Sequence, residues 1–308
     1  MCYSAMVYAE VRSLERRLGA RVDLKWYVKT FWIDRGKNPL RKRPKAPRSM
    51  ERELLTNGPP ELAEAVREAD ELEMAALEQE LFKQRKRIAD AERALLTKET
   101  KKAREEARIG RNKVEAALER LEELKSSGSG SGLGRIYPGS YCPVVVMENG
   151  ERVIRPMRYR CRLPGWTEVV ERKYPGTYNA RRDKLEESWG KVFGYNHGVV
   201  LATAFYEHVD REGKDTILEF KPQASEGLIA ACLWTHTVDA DGGDLLSFAL
   251  VTDDPPPEVA AAGHDRCIIP LKPENVNAWL QPDPKNLAAL YAILDDRERP
   301  YYEHREAA

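Results

Sequence analysis

Nowhere does this 308-residue chain hold a run of about 18 uncharged apolar residues, so no segment is expected to span a membrane. Its opening stretch, MCYSAMVYAEVRSLERR, has no basic region followed by an apolar one, and no secretory signal is expected. Net charge is missing as well: Lys and Arg number 50, and so do Asp and Glu. That excludes a globally basic chain, so any nucleic-acid contact must come from a local patch. Cysteine is scarce. The five present (Cys2, Cys142, Cys161, Cys232 and Cys267) are odd in number and show no CxxC spacing. This speaks against a disulfide framework or a zinc ribbon and points to a reducing cytosol, nucleoid-associated if the source is bacterial. The five histidines (His197, His208, His236, His264 and His304) add no ligand spacing, so no metal is expected. No glycine-rich phosphate loop follows a strand, so no nucleotide cofactor is expected either.

What is there divides at shifts of composition. Residues 1–34 carry apolar positions at helical spacing (Val7, Val11, Leu14, Leu18) and then Trp26, Tyr27, Phe31 and Trp32, which read as two helices turning at Gly19. Residues 35–59 form a basic, proline-broken connector, read as a solvated loop or a DNA contact. From 60 to 126 there is a single internal glycine, Gly110, and no proline after Pro60. Met74, Leu81, Ile88 and Leu95 recur every seven residues, and Ile109/Ala116 and Ala107/Val114/Leu121 continue the spacing, a coiled-coil pattern. Straight, such a helix would reach about 100 Å at 1.5 Å per residue. An antiparallel hairpin turning near Thr97–Thr100 is expected instead, offering residues 60–126 to a protein partner or to self-association.

A Ser/Gly linker at 127–134 leads into residues 135–308, whose character is β. YCPVVVM and VIRPMRYRCRL flank Asn149-Gly150 as a hairpin, and strands are expected at 198–209, 215–220, 227–238 and 245–252. Helices are expected near 254–262 and 285–294. The fold class is α+β, a mostly antiparallel sheet or barrel with flanking helices, interrupted by the helical insertion.

Cys2 is the residue with distinctive chemistry. A small second residue permits removal of Met1, which would leave Cys2 with a free α-amine beside its thiol. Such a 1,2-aminothiol reacts with aldehydes: the amine forms an imine, and the sulfur then closes a thiazolidine ring. Reference pKa values of about 7.7–8.0 and about 8.5 leave reactive fractions of both groups near neutrality. Further on stand PMRYRCRLPGW (Met157 to Trp166), TYNARRD (Asn179, Arg181), FYEH (Glu207) and GHDRCIIPL (His264).

With Met1-Cys2, these segments resemble the SRAP (SOS response-associated peptidase) pattern of MCxR, MRWGLIPxW, NARxE, GFYEW and H-x-RMPVIL, in that order. The resemblance covers residues 1 to about 30 and about 134 to 285, and leaves out the coiled coil. It implies covalent capture of abasic sites in single-stranded DNA by Cys2, with autoproteolytic loss of Met1 and a lyase activity. Asn179 would position amine and sugar, Glu207 would shuttle protons, and His264 would act as acid or base at the deoxyribose. Arg181 would hold a phosphate, and Arg158 and Trp166 would line the DNA cleft. The sequence departs from the pattern at Ser4 (usually Arg), at Arg160 (usually Gly) and at His208 (usually Trp). Two other readings compete. One is a thiol peptidase acting on other proteins through Cys2, His264 and Asn179. The other is an interaction adaptor built on the coiled coil.

Overall fold

The computed structural model describes residues 3–22, 45–57, 60–125, 133–223, 227–238 and 242–307. It divides into two units, residues 1–53 with 131–308, and residues 54–130.

The larger unit is organised by a sheet of twelve strands among the described residues. They are β1 (Ser4–Tyr8), β2 (Arg21–Val22), β3 (Leu133–Ile136), β4 (Tyr141–Glu148), β5 (Glu151–Tyr159) and β6 (Asn179–Arg181). There follow β7 (His197–Arg211), β8 (Lys214–Pro222), β9 (Leu228–Val238), β10 (Asp244–Asp253), β11 (Cys267–Ile268) and β12 (Tyr302–Glu306). In chain order the helices are α1 (Val11–Leu18), α2 (Arg48–Asn57), α3 (Pro60–Thr97), α4 (Lys101–Lys125) and α5 (Glu168–Lys173). The remainder are α6 (Leu185–Trp189), α7 (Pro257–Ala261), α8 (Val276–Leu280) and α9 (Leu287–Asp295).

Five strands close on themselves: β10 pairs with β5 and β9, β5 with β4, β4 with β7, and β7 with β9. Closure removes the open edges that a flat sheet would expose. Only β10–β5, β10–β6 and β2–β5 are parallel among the described pairings. The barrel interior is filled by every second residue: Cys142, Val144 and Val146 from β4, Leu228, Ala230 and Cys232 from β9, and Leu246, Phe248 and Leu250 from β10. This is the α+β barrel with flanking helices that the strand pattern predicts. The β4–β5 turn is Asn149-Gly150, at φ 51° and 81°. Both residues have positive φ, the geometry whose twist suits a two-residue hairpin.

Two expectations need correction. Residues 4–8 form a strand, whereas helical spacing starts only at Val11. Val7 fits both periods, but Ala5 and Val7 both enter the core, which is the two-residue alternation of a strand. The turn at Gly19 is present, with φ 57° at the α1 C-cap. The expected second helix, like residues 35–44 of the basic connector, lies outside the described residues. The end of that connector is not a solvated loop. Arg48 opens α2 and is buried against Glu51 at 3.1 Å, since a guanidinium enters the interior only with a counter-charge.

In the smaller unit, α3 begins at Pro60, where a missing N–H costs nothing, and meets α4 after a three-residue turn. Glu73 pairs with Arg120 at 2.7 Å, Glu80 with Lys113 at 3.7 Å, and Glu92 with Arg111 at 2.7 Å. One partner's number rises as the other's falls, so the hairpin is antiparallel. Leu81, Ala117 and Leu121 form its core, with Met74, Leu77 and Val114 packed against them. The seam on α4 runs through Ala103, Ala107, Gly110 and Ala117, not through Ala116, which is exposed. Small residues let the helices approach: a Cβ at Gly110 would stand 2.6 Å from Ile88 Cγ1. A reading that followed apolar bulk passed over the glycine.

Candidate active site

The site is organised by β7, fifteen residues long and shared between two sets of partners. Its first half pairs with β9 inside the barrel, and from Ala202 onward it pairs with β1. Ser4 faces Tyr206 and Ala5 faces Phe205, so the register continues with Tyr3 opposite Glu207. The Tyr3 backbone lies close enough to the Glu207 carboxylate to favour its charged form. Alternation puts Glu207 on the same face as Phe205, towards the core, and its side chain is 0% exposed.

His264 reaches this carboxylate from the loop between α7 and β11. Its Nε2 stands 3.1 Å from Glu207 Oε2, and its side chain is 7% exposed. Its Nδ1 lies 2.9 Å from the Arg266 carbonyl oxygen, and the Arg266 N–H approaches the same nitrogen at 3.3 Å. A carbonyl can only accept, so the shorter contact assigns a hydrogen to Nδ1. Nε2 and Glu207 then hold one exchangeable proton between them. Burial raises the pKa of Glu207, and the bond to His264 works against that rise. A buried carboxyl with a raised pKa, beside an imidazole, is equipped to give and take protons.

Asn179 and Arg181 arrive on β6, which lies along β10 with Leu250 opposite Asn179 and Thr252 opposite Arg181. On the other edge of β10, Thr252 and Asp253 pair with Ile268 and Cys267 of β11. The end of β10 thus brings the Asn179 and His264 segments to the same end of the barrel. Asn179 is buried. Arg181 is half-buried and binds Asp183 through two bonds of 2.7 and 3.0 Å. The Asp183 bond chiefly raises its pKa, and the charges of Asp265 and Asp254 add to the effect, which places Arg181 on the side of the His264 loop.

Beside Asn179 opens a cleft of about 850 Å³, lined among others by Pro164, Trp166, Tyr174 and Trp189. Trp166 is half-buried, with its ring 5.1 Å from that of Tyr174. It stands in a cleft wall, outside the barrel core. Arg158 is tied down: its guanidinium binds Glu171 of α5, which also takes Arg162 at 2.8 Å and lies 3.6 Å from Arg160 Nε. Glu207 therefore pairs with His264, while the arginines of the RYRCR stretch converge on Glu171. Sequence reading missed Glu171, although three arginines at alternate positions signal a need for a counter-charge.

At position 4, Ser4 Oγ accepts a bond of 3.1 Å from Arg135 Nε, and the Arg135 guanidinium covers the Tyr206 ring at 3.7 Å. A distant strand thus brings a guanidinium beside Ser4, a contact no local motif reveals. His208 binds Asp215 through Nδ1 at 2.9 Å and meets the Tyr3 ring edge-on at 4.7 Å. Cys2 lies outside the described residues.

A closed barrel with a buried carboxylate–imidazole pair opposite its first strand defines an α+β protein with an acid–base centre at one barrel end. The chain belongs to the SOS response associated peptidase (SRAP) family, whose sequence profile matches residues 93–306, more than half of it. That membership supports a DNA-damage-associated role in processing abasic sites, and it implies DNA binding. Residues 1–92, Cys2 among them, lie outside the match. No curated protein matches the chain.

Among solved structures, the chain is similar to a protein from Bordetella bronchiseptica at 19% identity and TM-score 0.48, covering 62% of this chain and 95% of that one. A Bacteroides thetaiotaomicron protein is 14% identical with TM-score 0.47, covering 57% of this chain and 78% of that one. A phage-related protein from Bordetella bronchiseptica is 18% identical with TM-score 0.43, covering 60% and 85%. Among the described residues, no helix is long and apolar enough to cross a membrane.

Proposed function

We propose that the mature chain begins at Cys2 after autoproteolytic loss of Met1, and that Cys2 captures the open-chain aldehyde of an abasic site in single-stranded DNA. The observation that carries this reading is the buried Glu207–His264 pair at 3.1 Å, set opposite the start of β1. Cys2 precedes Tyr3 in the chain, and one residue spans about 3.8 Å.

In the proposed reaction the α-amine of Cys2 adds to the aldehyde carbon, and the carbinolamine loses water to give an imine. Glu207 supplies the proton that departs with the water. The Cys2 sulfur then adds to the imine carbon, the nitrogen takes up a proton, and a five-membered thiazolidine closes with net loss of one water. His264 passes protons between Glu207 and the sugar oxygens. Reversal or strand cleavage, the proposed lyase activity, would use the same proton carriers. Asn179 orients the sugar, Arg181 holds a flanking phosphate, and the Trp166 face of the cleft takes a neighbouring base.

The test is intact-mass measurement of the purified protein before and after mixing with an oligonucleotide carrying one abasic site. The expected result is a chain lacking Met1 that gains the oligonucleotide mass less one water. Cys2→Ala should gain nothing. If Cys2→Ala crosslinks as well as the parent, the nucleophile is another residue.

A further inference from the structure

Arg160 occupies a backbone conformation that side chains avoid. Its φ is 101°, whereas the turn residues Asn149 and Glu212 stay near the ordinary left-handed minimum at 51° and 55°. The barrel imposes this geometry from both sides. The Arg160 N–H donates to the Phe248 carbonyl at 3.0 Å, and the next N–H, from Cys161, donates to Thr177 at 2.9 Å. Glycine would meet the same requirement without strain. The side chain is therefore kept at a cost to the fold, and the charge of the Glu171 carboxylate does not by itself explain it.

Glu171 already binds Arg158 and Arg162, and one carboxylate cannot neutralise three guanidiniums. Arg160 Nε, at 3.6 Å from Glu171, is beyond hydrogen-bonding distance. Its hydrogen bond runs from Nη2 to the Glu171 backbone carbonyl at 2.7 Å. That carbonyl also accepts the Tyr174 N–H at 3.2 Å. The Arg160 guanidinium thus sits at the foot of Tyr174, whose ring stands beside Trp166 in the cleft wall. The side chain is 25% exposed. An incompletely balanced, partly open guanidinium next to paired aromatic rings matches the alternation of phosphate and base along a single nucleic-acid strand.

We propose that Arg160 is a phosphate-binding residue, gripping the backbone of a single strand whose base stacks in the Trp166–Tyr174 cleft. This rests on the single-stranded DNA reading above. It adds a contact specific to this chain at a position where the family pattern has glycine.

The test is fluorescence anisotropy of a labelled oligothymidylate without an abasic site, titrated with full-length protein over a range of salt, alongside thermal melting. Arg160→Gly should weaken binding about tenfold and flatten the salt dependence by about 0.7, the share of one single-strand phosphate. Its melting temperature should rise, because the strain is gone. Arg160→Lys should keep the parent's salt slope. Parent-like affinity and slope in Arg160→Gly would overturn the proposal. So would a lowered melting temperature with lost binding, which would make Arg160 a structural tie. If the parent binds the strand and only the variant comparison fails, the abasic-site reading stands. If the parent binds no strand at all, both fall.

Discussion

At the scale of single residues, Glu207 joins two consequences of one burial. A carboxyl with a higher pKa in the folded than in the unfolded chain holds its proton more tightly when folded. Stability therefore falls as pH rises from the ordinary carboxylate range through the raised value. Glu207→Gln removes that titration, so it should melt higher relative to the parent at pH 8 than at pH 4. A melting difference that stays constant across pH would show that folding leaves the Glu207 pKa where it is in the unfolded chain. The same variant should slow abasic-site crosslinking by about 10²-fold, the lower range for a lost proton donor, measured from single-turnover gels. Part of this site was legible in the sequence. FYEH and GHDR point to Glu207 and His264 through their resemblance to the family's motifs. Their shared proton depends on the β1–β7 register and on the Arg266 carbonyl, which no spacing shows. The ties of Arg158 to Glu171 and of Arg135 to Ser4 were hidden for the same reason, being contacts across strands or loops.

At the scale of elements, periodicity worked where one face is buried over many residues. The β4–β5 hairpin, the long strands β7 to β10 and the α3–α4 turn follow from alternation, from Asn149-Gly150 and from heptads. It failed for short pieces. Five residues of β1 and three of β6 are too few to separate a period of two from one of 3.6, and tertiary pairing decides them. The helical hairpin has its own test at Gly110. Alanine there gains about 1 kcal/mol of helix propensity but must displace the stiff, β-branched Ile88, at a cost of about 1–3 kcal/mol. Gly110→Ala should therefore lower the stability of the hairpin, seen as a lower helical melting midpoint by circular dichroism. A higher midpoint would mean that the helices part freely at this point.

At the scale of the whole molecule, a buried histidine away from the site is expected to contribute to acid sensitivity. His197 accepts the Gly194 N–H at 2.9 Å through Nε2, and its Nδ1 donates to the Trp279 carbonyl at 3.1 Å. Burial holds its pKa down at about 3, against an ordinary value of 6.5. The unfolded chain takes up a proton here before the folded one does, so the His197 contribution to stability is full above about pH 6.5 and is lost as pH falls towards 3. The loss amounts to roughly 4 kcal/mol at the low end, at about 1.4 kcal/mol per unit. Denaturant titrations across that window should show the decline, and His197→Gln should flatten it. A wild-type slope in the variant would assign the acid response to other groups.

The interior sulfurs bear on how the chain would be handled at the bench. Cys142, Cys161, Cys232 and Cys267 are all enclosed, and exclusion from water pushes each thiol pKa up, that of Cys161 to about 12. Almost no thiolate exists at these positions at neutral pH, so an alkylating reagent finds nothing to attack there. The five-cysteine chain should behave towards iodoacetamide as though it carried one sulfhydryl. Native protein should take up no more than one carbamidomethyl group, and urea-unfolded protein five. A fluorophore or a mechanism-based inhibitor could then be directed to Cys2 without replacing any other cysteine.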